Sequence, residues 1–136
     1  MNKKTIITLL LASITLTGWA KEKTMVWEQP TTEYGTNYGD GFFNTALDIT
    51  KVELKETETL VYMTISRRSD YPDFSFQFVS DTYLKAADKR YALISVDGME
   101  LNQYTLTNKN DKLDVVFHFQ PLPLDTKSLD FIEGDG

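Results

Sequence analysis

The sequence predicts an all-β domain, an antiparallel β-sandwich of about seven to eight strands. Several short runs alternate apolar and polar residues, which is the period of a strand that buries one face. Residues that favour turns separate these runs at intervals of about 8–12 residues. The chain has no cysteine, so packing and hydrogen bonds alone must stabilise the fold.

Two runs give the clearest strand signal. The first carries Phe74, Phe76 and Phe78 at alternate positions. The second covers residues 113–119, where His118 lies between two phenylalanines and is therefore expected to point away from the core. Further strands are predicted over residues 25–28, 49–54, 61–65, 94–96, 99–101 and 129–132.

The connections between these strands complete the fold prediction. Asp97-Gly98 favours a type I′ hairpin turn, because this turn needs positive φ at both central residues. A polar turn is expected at residues 55–58, and one or two helical turns are expected over residues 80–88. The number and spacing of the strands favour an immunoglobulin-like sandwich. A small β-barrel is the alternative, because periodicity does not determine how the sheet closes.

The first 20 residues have the organisation of a secretory signal peptide, which is expected to be a helix. Lys3 and Lys4 precede an apolar stretch over residues 5–17, and Gly18-Trp19-Ala20 supplies small residues at a cleavage site. The stretch is shorter than the about 20 residues of a transmembrane helix, although an uncleaved anchor is an alternative. The prediction is a signal peptide over residues 1–20 and a single domain over residues 21–136. Its location would be periplasmic or secreted, with membrane contact only before cleavage.

The charge balance argues against two classes of partner, nucleic acid and anionic lipid. The chain has 14 basic and 20 acidic residues, a net charge of -6. Loss of Lys3 and Lys4 with the leader would make the mature domain more acidic still. Nucleic acid is not expected as a partner, because its phosphates require clusters of basic side chains. Adsorption to anionic lipid is disfavoured for the same reason.

Few residues are suited to catalysis or to holding a cofactor. His118 is the only histidine, and the pattern around it indicates no catalytic triad. A zinc site normally draws on several histidine and cysteine ligands, which this chain lacks. Residues 108–111 resemble half of a calcium loop but lack its glycine and its distal glutamate. We therefore expect no metal, no cofactor and no enzymatic activity.

Residues 33–43 are rich in glycine and aromatic residues and show no period. The glycines do not form a phosphate loop, because no Lys-Ser/Thr pair closes the motif. The aromatic side chains can instead form an exposed platform on which sugars stack, or cover an open edge of the sheet. The candidate contact residues are Trp27, Tyr34, Tyr38, Phe42 and Phe43.

A proline and leucine segment follows the last of the clear strands. Pro121 and Pro123 cannot donate hydrogen bonds to a sheet, so they interrupt the pairing and force an extended crossing. This crossing would bring Leu122 and Leu124 to an edge of the domain. The two leucines are either partner contacts or residues that close the core of the domain.

Three segments together resemble a known domain. Residues 27–30, 49–64 and 119–134 are similar to the N-terminal β-domain of exported thioredoxin-like (TlpA/AhpC-type) proteins of Bacteroidetes. The resemblance covers most of residues 24–136. It implies an immunoglobulin-like domain that precedes a thioredoxin fold with a Cys-x-x-Cys pair. No catalytic residue is carried over, because this chain contains no cysteine.

Two functions follow from these observations. The first is a non-catalytic exported accessory domain, a truncated or free-standing module that contacts a thioredoxin-like domain or protein. The second is a stand-alone envelope binding module that binds glycans through residues 33–43. The sequence indicates no oligomeric state.

Overall fold

The computed structural model describes residues 6–10, 14–17, 23–34, 45–67, 74–107 and 112–134. These residues are built from strands and connections, and none of them lies in a helix that could cross a membrane. The strands are β1 (Ile6–Leu10), β2 (Ile14–Thr17), β3 (Thr24–Glu28), β4 (Thr31–Tyr34), β5 (Thr45–Lys55), β6 (Thr59–Arg67), β7 (Phe74–Phe76), β8 (Tyr83–Ala86), β9 (Lys89–Asp97), β10 (Thr105–Thr107), β11 (Lys112–Phe119) and β12 (Ser128–Ile132).

Ten of these strands form one antiparallel sheet in the order β2-β3-β5-β6-β11-β9-β8-β12-β1-β4, and β7 pairs with β10 in a separate ribbon. The sheet is continuous because β9 pairs with β8 through its first residues and with β11 through its last. The all-β, antiparallel prediction is confirmed. The finer prediction, an immunoglobulin-like sandwich of two sheets, is not confirmed, because pairing through β9 joins the strands into one curled sheet.

A bulge in β5 sets which side chains face the core. Leu47 and Ile49 are buried before it, and Val52 and Leu54 are buried after it, so the inward positions change from odd to even. The pairing with β6 shifts between Ile49 and Lys51, which leaves Thr50 as the extra residue. The backbone N–H of Gln29 donates to the Thr50 carbonyl oxygen at 2.9 Å, so the bulge is also tied to the end of β3.

Curling of the sheet brings aromatic side chains from distant strands together. Phe117 of β11 packs edge to face against Phe131 of β12, with ring centroids 5.1 Å apart. Phe78 packs against both rings, at 5.1 Å from Phe117 and 6.1 Å from Phe131. Phe119 lies 5.8 Å from Phe131 on the same inner face. This cluster is the centre of the core and confirms the inward side predicted for residues 113–119.

Residues 6–10 form a strand where the sequence predicts a signal-peptide helix. β1 lies between β12 and β4, and Ile7 and Leu9 are fully buried in the core. The physical reason is in the apolar stretch itself. It begins with β-branched residues and places apolar side chains at positions 7 and 9, which suits a strand with one buried face.

Residues 80–88 also differ from the sequence prediction. They form a turn followed by β8, and β8 returns into β9 through Ala87 and Asp88. Both turn residues have positive φ, 49° and 64°, as a type I′ hairpin requires. The helix prediction was wrong because Leu84 and Ala86 alternate inward as strand residues against β12 and β9.

The hairpin predicted at Asp97-Gly98 is absent from the described residues. β9 ends at Asp97, and residues 98–104 form a loop instead of a returning strand. Gly98 has a φ of 100°, and a Cβ there would lie 2.6 Å from the Asp114 carbonyl oxygen of β11. This glycine therefore serves a close approach of two backbones, a role that sequence cannot distinguish from a hairpin turn.

The proline segment crosses from β11 to β12 as predicted. The Leu122 N–H donates to Thr59 Oγ1 at 2.9 Å, and both residues are buried. Thr126 closes a tight turn by donating to the Pro123 carbonyl oxygen from its N–H at 3.0 Å and from its hydroxyl at 2.6 Å. These hydrogen bonds give the crossing a defined shape without sheet pairing.

Candidate functional site

The outer face of the sheet carries a cluster of one imidazole and two carboxylates, defined by His118, Glu58 and Asp97. His118 points outward from β11 because Phe117 and Phe119 on either side of it point inward. Glu58 lies in the turn between β5 and β6, and Asp97 is the last residue of β9. The β5–β6 turn on one side of β11 and the end of β9 on the other thus each bring one carboxylate to the ring.

Both ring nitrogens of His118 are engaged by these carboxylates. Nδ1 lies 2.7 Å from Glu58 Oε1, and Nε2 lies 2.7 Å from Asp97 Oδ2. The side chain of His118 is 23% exposed, that of Glu58 32% and that of Asp97 71%. Because solvent screens the outer contact more strongly, Glu58 is the stronger partner.

The two carboxylates favour the charged form of the ring. Burial lowers the pKa of His118 and is the largest single influence on it. Hydrogen bonds and Coulomb attraction from Glu58 and Asp97 together outweigh burial, so the pKa is raised above its ordinary value of 6.5. In its charged form the ring donates to both carboxylates, one from each nitrogen.

This arrangement suits a structural tie better than catalysis. A general base needs a free ring nitrogen within reach of its proton, and here carboxylates engage both nitrogens. In the part of the chain that the structure describes, no group of three or more His, Asp or Glu side chains is placed to hold a metal ion. The cluster links the β5–β6 turn, β11 and the end of β9.

A second set of charged groups on the same face lies beside this cluster. Lys51 Nζ is 3.5 Å from Glu53 Oε1 and 4.2 Å from the centre of the Tyr62 ring. Burial, followed by the hydrogen bond and negative charge of Glu53 and the charge of Glu58, raises the pKa of Tyr62 to about 12. Tyr62 therefore keeps its proton and acts as a hydrogen-bond donor near neutral pH.

Among the residues predicted as ligand or partner contacts, the structure describes the side chains of Trp27, Leu122 and Leu124. Trp27 is fully buried in the core, where its Nε1 has no hydrogen-bond partner among the described residues. Leu122 is also buried, and Leu124 is half-buried against the core. The side chain of Tyr34, at the end of β4, and all of Tyr38, Phe42 and Phe43 lie outside the described residues. Trp27 and Leu122 are thus core residues, and an aromatic contact surface formed by residues 33–43 stays a prediction.

A surface depression lies beside the proline crossing. One wall is the β8–β9 hairpin with Ala86, Ala87 and Tyr91, and the other is Pro123 with residues 125–128. Its volume is about 420 Å³. A smaller depression of about 230 Å³ adjoins it along β12 and shares Ala86, Ala87 and Ser128 with it. The crossing thus contributes to a concave surface, with Leu122 beneath it in the core.

Sequence reasoning missed the carboxylates around His118 and the hairpin wall of the depression. Glu58 and Asp97 are 60 and 21 positions from His118 in the chain, and no local motif links them. The hairpin was missed because residues 80–88 were assigned to a helix. An alternation count over residues 83–86 is the one signal that indicates it.

Comparison with known proteins gave no match to a family model, to a curated protein or to a solved structure. The resemblance to the β-domain of thioredoxin-like proteins therefore stays a prediction.

Proposed function

We propose that this chain is a non-catalytic, exported interaction domain that binds a thioredoxin-like domain or protein. Its contact surface would be the depression between the β8–β9 hairpin and the proline crossing. The chain would act by holding its partner in the envelope, and any redox chemistry would belong to the partner. The resemblance of residues 27–30, 49–64 and 119–134 suggests the class of partner.

The shape and composition of the depression carry this proposal. Tyr91 and Pro123 contribute apolar surface, and Asp125 and Lys127 place opposite charges at the same wall. Tyrosine is enriched where proteins bind each other, because its ring buries a large area while its hydroxyl forms a hydrogen bond. The two hydrogen bonds from Thr126 to Pro123 fix this wall before binding, which lowers the entropy lost on association.

The chemistry of the chain supports a binding role over a catalytic one. Thiol exchange needs a thiolate, and the sequence has no cysteine. The only histidine contacts carboxylates through both nitrogens. The purified chain is accordingly expected to reduce no disulfide by itself.

Export is proposed from the N-terminal sequence alone. Lys3, Lys4 and the apolar residues after them have the composition of a leader, and Ala20 is a suitable residue at the cleavage site. In the full chain this segment contains β1 and β2, so cleavage would remove two strands from the sheet.

Site-specific photo-crosslinking in the source bacterium tests the proposal. A photoreactive phenylalanine analogue would replace Tyr91 in the full-length chain, and crosslinked proteins would be identified by mass spectrometry. The matched control is the same replacement at Tyr104, a tyrosine that is 69% exposed and does not line the depression.

We expect position 91, and not position 104, to capture a protein with a thioredoxin-like sequence and a Cys-x-x-Cys pair. Capture of the same proteins at both positions, or of none at position 91, would contradict the proposed contact surface. Disulfide reductase activity of the purified chain would contradict the non-catalytic role.

A further inference from the structure

β1 fills a slot in the sheet that is specific for one pattern of side chains. It pairs antiparallel with β12 over its five residues, from Ile6 opposite Ile132 to Leu10 opposite Ser128. On its other side it pairs with β4. Because it is paired on both sides, an extended segment in this slot forms the backbone hydrogen bonds of an inner strand.

The inward side of the slot accepts two aliphatic side chains. Ile7 lies opposite Phe131 and Leu9 lies opposite Leu129, and all four residues are at most 1% exposed. Strand β1 is therefore part of the core, although it comes from the segment that resembles a leader.

The outward side of the slot accepts a hydroxyl group between the two aliphatic residues. The Thr8 hydroxyl donates to Asp130 Oδ1 at 2.7 Å across the strand pair. A charge-assisted hydrogen bond of this length discriminates against an apolar residue at the middle position. The slot thus selects the pattern aliphatic, hydroxyl, aliphatic on an extended backbone.

We propose that in the exported chain this slot is a strand-binding site for a partner protein. The inference rests on the proposed export: cleavage after Ala20 would remove β1, which opens the edge of β12, together with β2, which lies at the edge of the sheet beside β3. The occupant would be an extended segment of the partner with aliphatic, hydroxyl and aliphatic residues in sequence, antiparallel to β12. Addition of a strand to an open edge is an established mode of protein recognition, because the backbone supplies affinity and alternate side chains supply specificity.

The position of the slot agrees with the proposed contact surface. Asp130, which selects the hydroxyl, also lines the smaller depression beside β12. A partner that occupies the slot with one strand would therefore lie next to the depression that contains Tyr91. An open edge next to exposed apolar surface would otherwise favour aggregation, which gives the exported chain a physical reason to bind a strand.

A strand-exchange assay on the full chain tests the inference. A specific protease site would be inserted within residues 11–13, between β1 and β2, and cut once, so that the fragment with β1 is held in the slot by noncovalent contacts alone. The probe is a fluorescent synthetic peptide of residues 3–11, and its binding is followed by anisotropy. The matched control peptide exchanges Thr8 and Leu9, which keeps the composition and breaks the alternation.

We expect the probe to displace the fragment and the exchanged peptide to bind at least about tenfold more weakly, since it places a hydroxyl in the core and an aliphatic group outside. A probe with Thr8→Val is expected to bind about threefold to tenfold more weakly, the usual effect of one hydrogen bond. Native mass spectrometry of the cut chain would detect the retained fragment even if exchange is slow.

Equal binding of the probe and the exchanged peptide would overturn the inference, as would binding of neither peptide after the fragment has left. Assembly of the cut chain into dimers that exclude the probe would also overturn it, because a second copy would then be the occupant. These outcomes are independent of the crosslinking at Tyr91, so a failure of the strand site and a failure of the proposed contact surface can be distinguished.

Discussion

The two halves of the curled sheet differ in strand length and in the origin of their strands. In the long-strand half, defined as β3, β5, β6 and β11, the strands β5, β6 and β11 have 11, 9 and 8 residues. In the short-strand half, defined as β4, β1, β12 and β8, each strand has four or five residues. The two halves meet at β9.

The two halves also differ in how far apart in the chain their paired strands lie. β5 and β6 are consecutive in the chain and pair through a short turn, so the centre of the long-strand half forms from local sequence. β1 comes from the N-terminus and pairs with β12 near the C-terminus. Closing such a long loop costs entropy before any contact forms. We infer that the short-strand half opens first. Leader removal would take β1 out of this half and would also remove β2 from the edge of β3 in the long-strand half.

The largest expected change in the free energy of unfolding is at the contact between the two halves. Phe117 is fully buried and lies 5.1 Å from both Phe78 and Phe131, so Phe117→Ala should lower the free energy of unfolding by about 3–5 kcal/mol. Equilibrium urea unfolding measures this loss. His118→Ala, one residue along and on the outer face, is the control and should cost about 1 kcal/mol or less. A larger loss for His118→Ala would invert the assignment of the two faces.

A matched pair of leucines compares the two halves directly. Leu9 and Leu54 are both fully buried, and replacement of either by alanine should cost about 2–5 kcal/mol. Leu9→Ala should accelerate hydrogen exchange in β8 and β12 while β6 stays protected, because it loosens the short-strand half alone. Leu54→Ala should accelerate exchange in all these strands. Identical exchange patterns for the two variants would show that the sheet opens as one unit.

A smaller loss of stability is expected for a substitution at the point where β9 meets β11. Gly98→Ala should cost about 1–3 kcal/mol, because the residue has a φ of 100° and the added Cβ would clash with the Asp114 carbonyl oxygen. Asp88→Gly in the β8–β9 turn, where φ is 64°, is the control. It should change stability by less than about 0.5 kcal/mol, since relieved strain and lost chain entropy oppose each other. Thermal or urea unfolding distinguishes the two, and a harmless Gly98→Ala would refute the close approach.

The smallest effect is the pH dependence contributed by His118. Its pKa is raised in the folded chain, so its stabilising contribution is fully present below about pH 6.5 and is lost as the pH rises through the folded pKa. The parent should therefore exceed His118→Gln in stability by at most about 1 kcal/mol near pH 5.5, and this difference should vanish near pH 9. Urea unfolding of both proteins at the two pH values measures it. A difference that grows with pH would contradict the raised pKa of His118.

The long-strand half was largely predictable from sequence, and the short-strand half was not. Val61, Met63 and Ile65 alternate over a long run, and all three are buried as predicted. In β8 the run is only four residues long, so a helix fitted the pattern equally well. In β1 the same apolar residues satisfy the pattern of a leader and that of a buried strand, and only the pairing with β12 in the fold distinguishes the two.

The outer-face cluster was unpredictable for a different reason. Alternation around His118 correctly placed the ring on the outer face. Its partners depend on the register of β11 with both of its neighbours, and that register is a property of the tertiary fold. The turn at residues 55–58 was predicted, but nothing local indicates that Glu58 reaches across to β11.

The most direct test of an exported interaction domain with an open strand site is the intact mass of the protein recovered from the source organism. Cells would be fractionated, and the chain in the envelope and culture medium would be isolated and weighed by mass spectrometry. The account predicts a chain in these fractions that begins at Lys21 and lacks β1 and β2. A chain that retains residues 1–20 there, or that is found in the cytoplasm alone, would contradict it.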